Sequence, residues 1–264
     1  MELVQAEITG EILRAYYEVY NHTPRYYPEY IFEKAMIVEL QRLGHAVAQQ
    51  DEYHIYYKEH FVGIQRLDLF VLAEVAVENK VVEKLTPLHK AQGLSYVKTV
   101  GKMVGLVLNF GSAKPEFVRL YYNPAERLAT ATHEPPKLPR TKELLYPELT
   151  EVIIGGLQEV HTTLGPGFVH RIYQNATYYE LGLRGLACQP HKRMQVNYKG
   201  ESIGDVAFGH MTVEGQVIVF PVALRHTGDI HLDSLKQWLR SNEIQLGILA
   251  NFNHIRLDLV FIRL

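Results

Sequence analysis

Two carboxylates and a lysine, spaced as strand neighbours, are the residues of this sequence best suited to chemistry. Asp68 follows one β-rich stretch, and Glu78-Asn79-Lys80 ends the next. Because side chains alternate faces along a strand, Glu78 and Lys80 share a face, and Asp68 can lie beside them if the strands pair as a hairpin. Two carboxylates and the carbonyl of Asn79 are oxygen ligands suited to Mg²⁺. The group therefore predicts phosphodiester hydrolysis by a metal-activated water, with Lys80 orienting that water or stabilising negative charge.

Other chemistries find little support in the sequence. The one cysteine, Cys188, excludes a disulfide framework and a cysteine-based zinc site. The histidines of the second half lack the spacing of zinc ligands, and there is no glycine-rich phosphate loop or serine nucleophile elbow. Arg66 shares the face of Asp68 and is expected to pair with a carboxylate or contact phosphate. An ordinary solvated hairpin surface remains the alternative interpretation of the whole charge set.

Helical and strand patterns alternate in the first half, which predicts a central mixed sheet of the α/β class flanked by helices. Gly44 is expected to end the second helix, and Thr86-Pro87 to begin the third. The predicted helices are 3–20, 29–43 and 86–99, and the predicted strands are 53–58, 61–72, 74–80, 103–110 and 117–121.

The chain repeats itself. Pairs of residues recur in order at an offset of 141, which later becomes 142, so a one-residue insertion separates two homologous halves. We therefore predict domains at 1–122 and 144–264, joined by a proline-rich linker at 123–143 and arranged as an intrachain pseudo-dimer. The recurring pairs include Glu18-Val19 with Glu159-Val160, Glu39-Leu40 with Glu180-Leu181, Tyr57-Lys58 with Tyr198-Lys199, and Asn109-Phe110 with Asn251-Phe252.

A family resemblance rests on Asp68, on Glu78-Asn79-Lys80 and on longer stretches such as YYPEYIFEKAMIVELQRLGHAV, VENKVVEKLTPLHKAQGLSYVK and VGLVLNFG. With these residues the chain resembles the PD-(D/E)XK nuclease superfamily, and within it the GxxExxR family of predicted nucleases, over about 8–120 and more weakly over 150–260. The resemblance implies two tandem domains with an α-β-β-β-α-β core and cleavage of nucleic acid that depends on Mg²⁺, or on Mn²⁺ in its place. Its metal-binding aspartate corresponds to Asp68, and its glutamate and lysine to Glu78 and Lys80.

The resemblance also implies roles for three helical residues. A glutamate of the early helix corresponds to Glu29, as a direct or indirect metal ligand, although Pro24-Arg25-Tyr26 stands where the family has Gly-Pro-Gly. The glutamine and tyrosine of the following helix correspond to Gln92 and Tyr96. Being four residues apart, these two share one helix face, from which they are expected to contact the nucleic-acid strand and the carboxylates.

The second half keeps Gly165-Pro166-Gly167 but lacks the chemical residues. Phenylalanine and valine can neither bind Mg²⁺ nor polarise water, so one intact site and one degenerate copy are expected. The corresponding positions are Glu29 with His170, Asp68 with His210 or Gly209, Glu78 with Phe220, Lys80 with Val222, Gln92 with Ser234, and Tyr96 with Trp238.

Composition limits the partners and the location. With 27 Lys+Arg against 29 Asp+Glu, a protein that coats nucleic acid by bulk charge is excluded, although an enzyme gripping phosphates locally is not. We expect nucleic acid as the partner, DNA in preference to RNA. No apolar run approaches the ~18 residues of a membrane span, and the acidic start lacks signal-peptide features, so a cytoplasmic protein is expected. A non-catalytic nucleic-acid-binding or scaffolding protein of the same fold is the competing hypothesis.

Overall fold

The computed structural model describes residues 5–123, 145–199, 201–224, 227 and 230–264. Contacts divide the chain into two compact units. Unit 1 comprises Met1–His54 and Ile64–Ala131, and unit 2 comprises Ile55–Gly63 and Thr132–Leu264. Nearly all of the predicted linker at 123–143 lies outside the described residues, so the linker stays a prediction.

The elements alternate between helices and strands in both halves of the chain. The first half contains α1 (Ala6–His22), α2 (Glu29–Arg42), β1 (Val47–Gln49), β2 (Glu52–Tyr57), β3 (His60–Arg66), β4 (Leu69–Val71), β5 (Val75–Lys80), α3 (Pro87–Thr99), β6 (Val104–Asn109) and β7 (Glu116–Tyr121). The second contains α4 (Pro147–Leu164), α5 (His170–Leu183), β8 (Cys188–Tyr198), β9 (Glu201–Val213), β10 (Val217–Val222), α6 (Leu232–Ser241), β11 (Leu246–Asn251) and β12 (Asp258–Arg263).

The sequence repeat is also a repeat of secondary structure. Helix α5 begins and ends 141 residues after α2, and strands β10, β11 and β12 lie 142 residues after β5, β6 and β7. In each half, two helices precede the sheet and one helix crosses between its two parallel strands, β5 and β6 or β10 and β11. The order α2-β1-β4-β5-α3-β6 is the α-β-β-β-α-β core, so the predicted fold class is confirmed.

Sheet order in unit 1 brings the predicted site together. The strands lie in the order β1-β4-β5-β6-β7, with β4 antiparallel and β6 parallel to β5. A short turn joins β4 to β5, and Leu69 pairs with Val77. One step further along this register, Asp68 lies next to Glu78 at the end of the short strand β4.

The predicted strand at 61–72 is wrong as a single element. The chain leaves the β3 ladder after Arg66, and β4 begins at Leu69. The reason is a change of partner: β3 pairs only with β2, whereas β4 pairs with β1 and β5. In unit 2 the corresponding segment is the single strand β9, which forms one long antiparallel ribbon with β8 at the edge of their sheet.

The tip of the β2–β3 hairpin, Ile55–Gly63, belongs to unit 2. There Ile55, Tyr57 and Val62 are buried in the same core as residues of α4, α5 and the second sheet. This core therefore draws on a segment of the chain that precedes most of the first sheet.

Apolar spacing explains how the helices of unit 1 hold the sheet. Ile12, Tyr16 and Val19 lie on the buried face of α1 and pack with α2 and the strands in one core. Helix α2 ends before Gly44, whose φ of +83° is the left-handed conformation that glycine adopts most readily. Thr86 caps α3 by accepting a hydrogen bond from the His89 amide, which fixes where that helix starts.

Candidate active site

The end of strand β5 carries the chemical residues. Glu78 is 5% exposed and Asn79 is fully buried, while Lys80 is partly exposed. The backbone amide of Asn79 donates a hydrogen bond to Asp68 Oδ2 over 3.0 Å, which ties the two strands together at this point. Asp68, Glu78 and Lys80, which the sequence predicts as a group, therefore do lie together.

Burial dominates the electrostatics of Asp68. Its pKa is raised to about 6, because loss of hydration disfavours the ionised form more than the Asn79 amide and the Lys80 ammonium favour it. The charges of Glu29 and Glu33 add to the rise. A carboxylate in this position is stabilised by any additional positive charge placed beside it.

The pKa of Glu78 is raised further than the pKa of Asp68. Burial, followed by the negative charge of Asp68, raises its pKa to about 8, although Lys80 opposes the rise. Its Oε1 accepts a hydrogen bond from the Lys80 ammonium. Its Oε2 is buried and has no hydrogen-bond partner among the described residues. A buried polar atom of this kind is costly unless another group binds it.

Lys80 provides the positive charge next to the carboxylates. It pairs with Glu78, and its Nζ lies 3.8 Å from Glu29 Oε1. Burial alone would lower its pKa, but the charges of Glu78 and Glu29 raise it overall, so the ammonium stays charged. Glu29 stands in the first turn of α2 with its side chain about half exposed. The structure therefore places Glu29 at the rim of the site, within reach of Lys80.

Glu33 is a member of this acidic group that the sequence analysis missed. It lies one turn after Glu29 on α2, is almost fully buried, and accepts hydrogen bonds from the amides of Gln49 and Gln50. Its spacing of four from Glu29 places both on one helix face and was the available signal. Its neighbours on β1 and in the following turn could be found only in the structure.

Tyr96 contacts Gln65, a residue that the sequence analysis did not single out. The amide nitrogen of Gln65 lies 3.4 Å from the Tyr96 hydroxyl, and its buried Oε1 has no hydrogen-bond partner among the described residues. Gln92 lies one turn earlier on α3 and is half-buried, and its predicted contact with nucleic acid remains a prediction. Arg66 turns instead to Glu52, 2.7 Å away on the surface, so it takes the first of its two predicted roles.

The oxygen groups at the end of β5 fit a divalent cation. Among the described residues, no group of three or more His, Cys, Asp and Glu side chains converges tightly enough to hold a metal ion by itself. Mg²⁺, however, keeps several waters and needs only one or two protein carboxylates. Asp68 and the unsatisfied Oε2 of Glu78 supply such a pair, and after burial the negative charge of Asp68 is the next cause of the raised pKa of Glu78.

The register of unit 2 shows what has replaced the site. Met211 pairs with Val219 there, as Leu69 pairs with Val77, so His210 rather than Gly209 occupies the position of Asp68. Phe220 and Val222, in place of Glu78 and Lys80, are fully buried in an apolar cluster. The indole nitrogen of Trp238 donates to His210 Nε2 over 3.1 Å. Rings and aliphatic groups therefore fill the space in which unit 1 holds its carboxylates.

Asn109 supports the loop that follows β5. Its Oδ1 accepts hydrogen bonds from the backbone amides of Val82 and Gly111. A side chain at Gly111 would lie within 2.8 Å of the backbone of Val81 and Val82, so the two segments approach closely. Asn251 makes the same pattern of bonds in unit 2. Because unit 2 keeps these bonds without the carboxylates, the asparagine has a structural role in both units.

Comparison with known families gives one finding. The family model described as PD-(D/E)XK nuclease superfamily matches residues 6–120 and 147–264, which are the two halves of the repeat. Neither the curated proteins nor the solved structures give a match. Within the described residues, none of the helices has the length and apolar character needed to cross a membrane.

Proposed function

Because the chain belongs to the PD-(D/E)XK nuclease superfamily, we propose that it is a Mg²⁺-dependent nuclease with a single active site in unit 1. DNA is the expected substrate, and RNA is the alternative. The observation that carries the proposal is the pair of half-buried Asp68 and buried Glu78, in which one Glu78 carboxylate oxygen is unsatisfied and Lys80 is bound to the other. Unit 2 carries the same fold with His210, Phe220 and Val222 at those positions, and its described residues form no comparable group.

Asp68, Glu78 and the carbonyl of Asn79 would hold the Mg²⁺. Bound there, the ion supplies acidification of a water and neutralisation of phosphate charge. Lys80 pairs with Glu78 and stays charged, so it offsets part of the buried negative charge before substrate arrives. When a phosphate enters, the same ammonium is placed to donate to the attacking water or to a phosphate oxygen.

Three surrounding side chains position substrate and carboxylates. Glu29 lies at the rim beside Lys80, where it would either contact the metal or orient the metal's waters. Tyr96, braced by Gln65, presents a hydroxyl from α3. Gln92 extends the same helix face by one turn. A nucleic-acid strand that contacts Gln92 and Tyr96 is expected to present its phosphate to the carboxylates.

The direct test is cleavage of a panel of DNA and RNA substrates, single- and double-stranded, with Mg²⁺ or Mn²⁺. We expect the wild-type chain to cleave DNA and the Lys80→Ala chain to lose at least about 10²-fold in rate, since one preorganised charge contributes that much in other enzymes. Lys102→Ala is the matched control, because Lys102 also pairs with a glutamate in unit 1, at Glu74, outside the site.

Each outcome separates the competing hypotheses. Cleavage that survives Lys80→Ala would contradict the site assignment. Binding of nucleic acid by the wild type, unchanged in Asp68→Ala and without cleavage of any substrate, would establish the non-catalytic binding protein instead. Neither binding nor cleavage across the panel would leave a scaffolding role.

A further inference from the structure

In unit 2, the tip of the β2–β3 hairpin is bound by helices α4 and α5. The Tyr57 hydroxyl donates to Glu180 Oε2 over 2.7 Å. The Lys58 ammonium lies 2.8 Å from the same carboxylate and 3.5 Å from Glu159 Oε1. Glu159 belongs to α4 and Glu180 to α5. A Tyr-Lys turn is therefore recognised by one carboxylate from each helix.

Apolar contacts and a hydrogen bond to the backbone also hold the hairpin tip. Val62 is fully buried in the core of unit 2, and its carbonyl accepts a hydrogen bond of 2.7 Å from the Asn175 amide. The ring of His60 stacks on Tyr179 at 4.1 Å between centroids. The contacting residues of α5 are spaced at helical intervals and form one stripe that faces the hairpin.

Unit 1 has the same groove between α1 and α2, and it is open. The groove has a volume of about 470 Å³. Its lining includes Glu18 and Glu39, which are the repeat counterparts of Glu159 and Glu180. Four more lining residues, Val19, Lys34, Ala35 and Val38, correspond in the same way to Val160, Asn175, Ala176 and Tyr179. The groove thus repeats the position and the paired acids of the filled one.

The β8–β9 hairpin has the matching features of a tip. In the sequence, Tyr198-Lys199 repeats Tyr57-Lys58. Lys199 has a φ of +50°, as Lys58 has +45°, so the two turns share an unusual backbone conformation. Ile203, the counterpart of Val62, is 65% exposed, whereas Val62 is 0% exposed. The β8–β9 hairpin therefore exposes to solvent the apolar side chain whose counterpart is buried in unit 2.

We propose that the β8–β9 hairpin of one copy of this chain docks into the α1–α2 groove of a second copy. The lysine turn would bind Glu18 and Glu39 in exchange for their present partners on the groove wall, His22 and Arg42. Ile203 would cover the apolar side chains of the groove. Each copy offers one hairpin and one groove, so two copies that exchange hairpins leave neither element open, and a ring or a longer chain uses the same contact. The inference does not depend on the proposed catalytic activity.

Sedimentation velocity of the full chain across a wide range of concentration tests this association. Wild type is expected to self-associate, and Ile203→Asp is expected to weaken association by about tenfold or more, since a charge would enter an apolar contact. Because Ile203 is exposed, this variant should keep the wild-type melting curve. Val206→Asp is the matched control, since Val206 is also exposed but lies further from the turn than Ile203 on the same strand.

Charge reversal tests the recognition itself. Glu18→Lys with Glu39→Lys, or Lys199→Glu alone, should each weaken self-association, and the combination of both should restore it. Glu7→Lys, an exposed glutamate of α1 outside the groove, should change nothing.

A cross-link identifies the partner as another copy. In a Cys188→Ser background, chains carrying Lys34→Cys are mixed with chains carrying Ile203→Cys, and a disulfide-linked dimer of the two is expected, because the counterparts Asn175 and Val62 are in contact. Val206→Cys should not form it. A monomer at all concentrations together with absence of the mixed disulfide, or self-association unchanged in Ile203→Asp, would overturn the proposal.

Discussion

At the residue scale, the candidate site is defined by one buried carboxylate, Glu78, and one half-buried carboxylate, Asp68. Asp68 and Glu78 both have raised pKa values because burial outweighs the help that Lys80 and the Asn79 amide provide. A fold retains such a pair at a cost in stability. The sequence alone placed Asp68, Glu78 and Lys80 together, whereas the unsatisfied oxygen of Glu78 that marks the binding position is visible only in the structure.

This burial predicts a pH dependence of stability in metal-free buffer. The pKa of Glu78 is about 8 in the folded chain against 4.5 ordinarily, so the folded state holds its proton more tightly. Stability should therefore be highest at low pH in this window and should fall as the pH rises from about 4.5 to 8, with a total of about 1–3 kcal/mol for this group. Glu78→Gln should flatten the curve, measured by urea denaturation with a chelator present.

The control for this experiment is Glu74→Gln, which removes a half-exposed glutamate paired with Lys102 and should leave the slope unchanged. If Glu78→Gln retained the wild-type slope, the buried, partly unsatisfied state of this carboxylate would be contradicted.

Metal binding gives an independent prediction at the same residues. A cation that binds only the folded chain stabilises it by mass action, so Mg²⁺ or Mn²⁺ should raise the melting temperature of the wild type. Asp68→Ala and Glu78→Ala should abolish this rise, because each removes one of the two carboxylates. Calorimetric unfolding with and without the ion measures the effect, and His210→Ala in unit 2 should preserve it. A full rise in both carboxylate variants would place the metal elsewhere.

At the element scale, the pairing of the strands positions the site residues, and an asparagine that recurs in both halves holds the neighbouring loop. The β4–β5 register brings Asp68 to Glu78, and helix α3, which Thr86 caps, carries Gln92 and Tyr96 on one face. Asn109 and its counterpart Asn251 each fasten the loop after the neighbouring parallel strand. The presence of the same bonds in both units separates what the fold needs from what the chemistry needs.

The two asparagines should therefore respond alike to substitution. Asn109→Ala and Asn251→Ala each leave two backbone amides without their acceptor, and each should lower the free energy of unfolding by about 1–3 kcal/mol. Chemical denaturation of both variants measures this. A loss of cleavage in Asn109→Ala at wild-type stability would instead give this residue a part in the reaction.

At the scale of the whole molecule, one fold is used in two ways. The same register position holds Glu78 in unit 1 and Phe220 in unit 2. In the first it is a buried carboxylate beside a lysine, and in the second it is a ring in an apolar cluster with Val222 and Leu239. Both halves match the same family, so the difference lies in the residues rather than in the architecture.

This contrast predicts opposite effects at matched positions. Glu78→Gln should abolish cleavage with little loss of stability, because it replaces a poorly satisfied carboxylate by a neutral group of the same shape. Phe220→Leu should lower stability by about 1 kcal/mol through imperfect repacking and leave cleavage intact. Thermal unfolding and the cleavage assay on both variants measure the two effects. Loss of cleavage in a folded Phe220→Leu chain would show that unit 2 takes part in the reaction.

The sequence by itself determined what depends on local pattern. Helical spacing and the Thr86-Pro87 start predicted α3, Gly44 predicted the end of α2, and the recurring pairs predicted a repeat that the helix and strand bounds reproduce. Strand alternation also predicted that Glu78 and Lys80 share a face with Asp68 beside them. These features follow from neighbours within a few residues, which is the range over which periodicity carries information.

Only the tertiary structure decided what depends on partners distant in sequence. It showed that Glu33 lies near Asp68 and that Gln65 contacts Tyr96. It also showed that His210 and not Gly209 replaces Asp68, and that the strand predicted at 61–72 breaks where β3 and β4 take different partners. It also assigned Ile55–Gly63 to unit 2. Such choices are made by packing and register between segments far apart along the chain, and no local spacing encodes them.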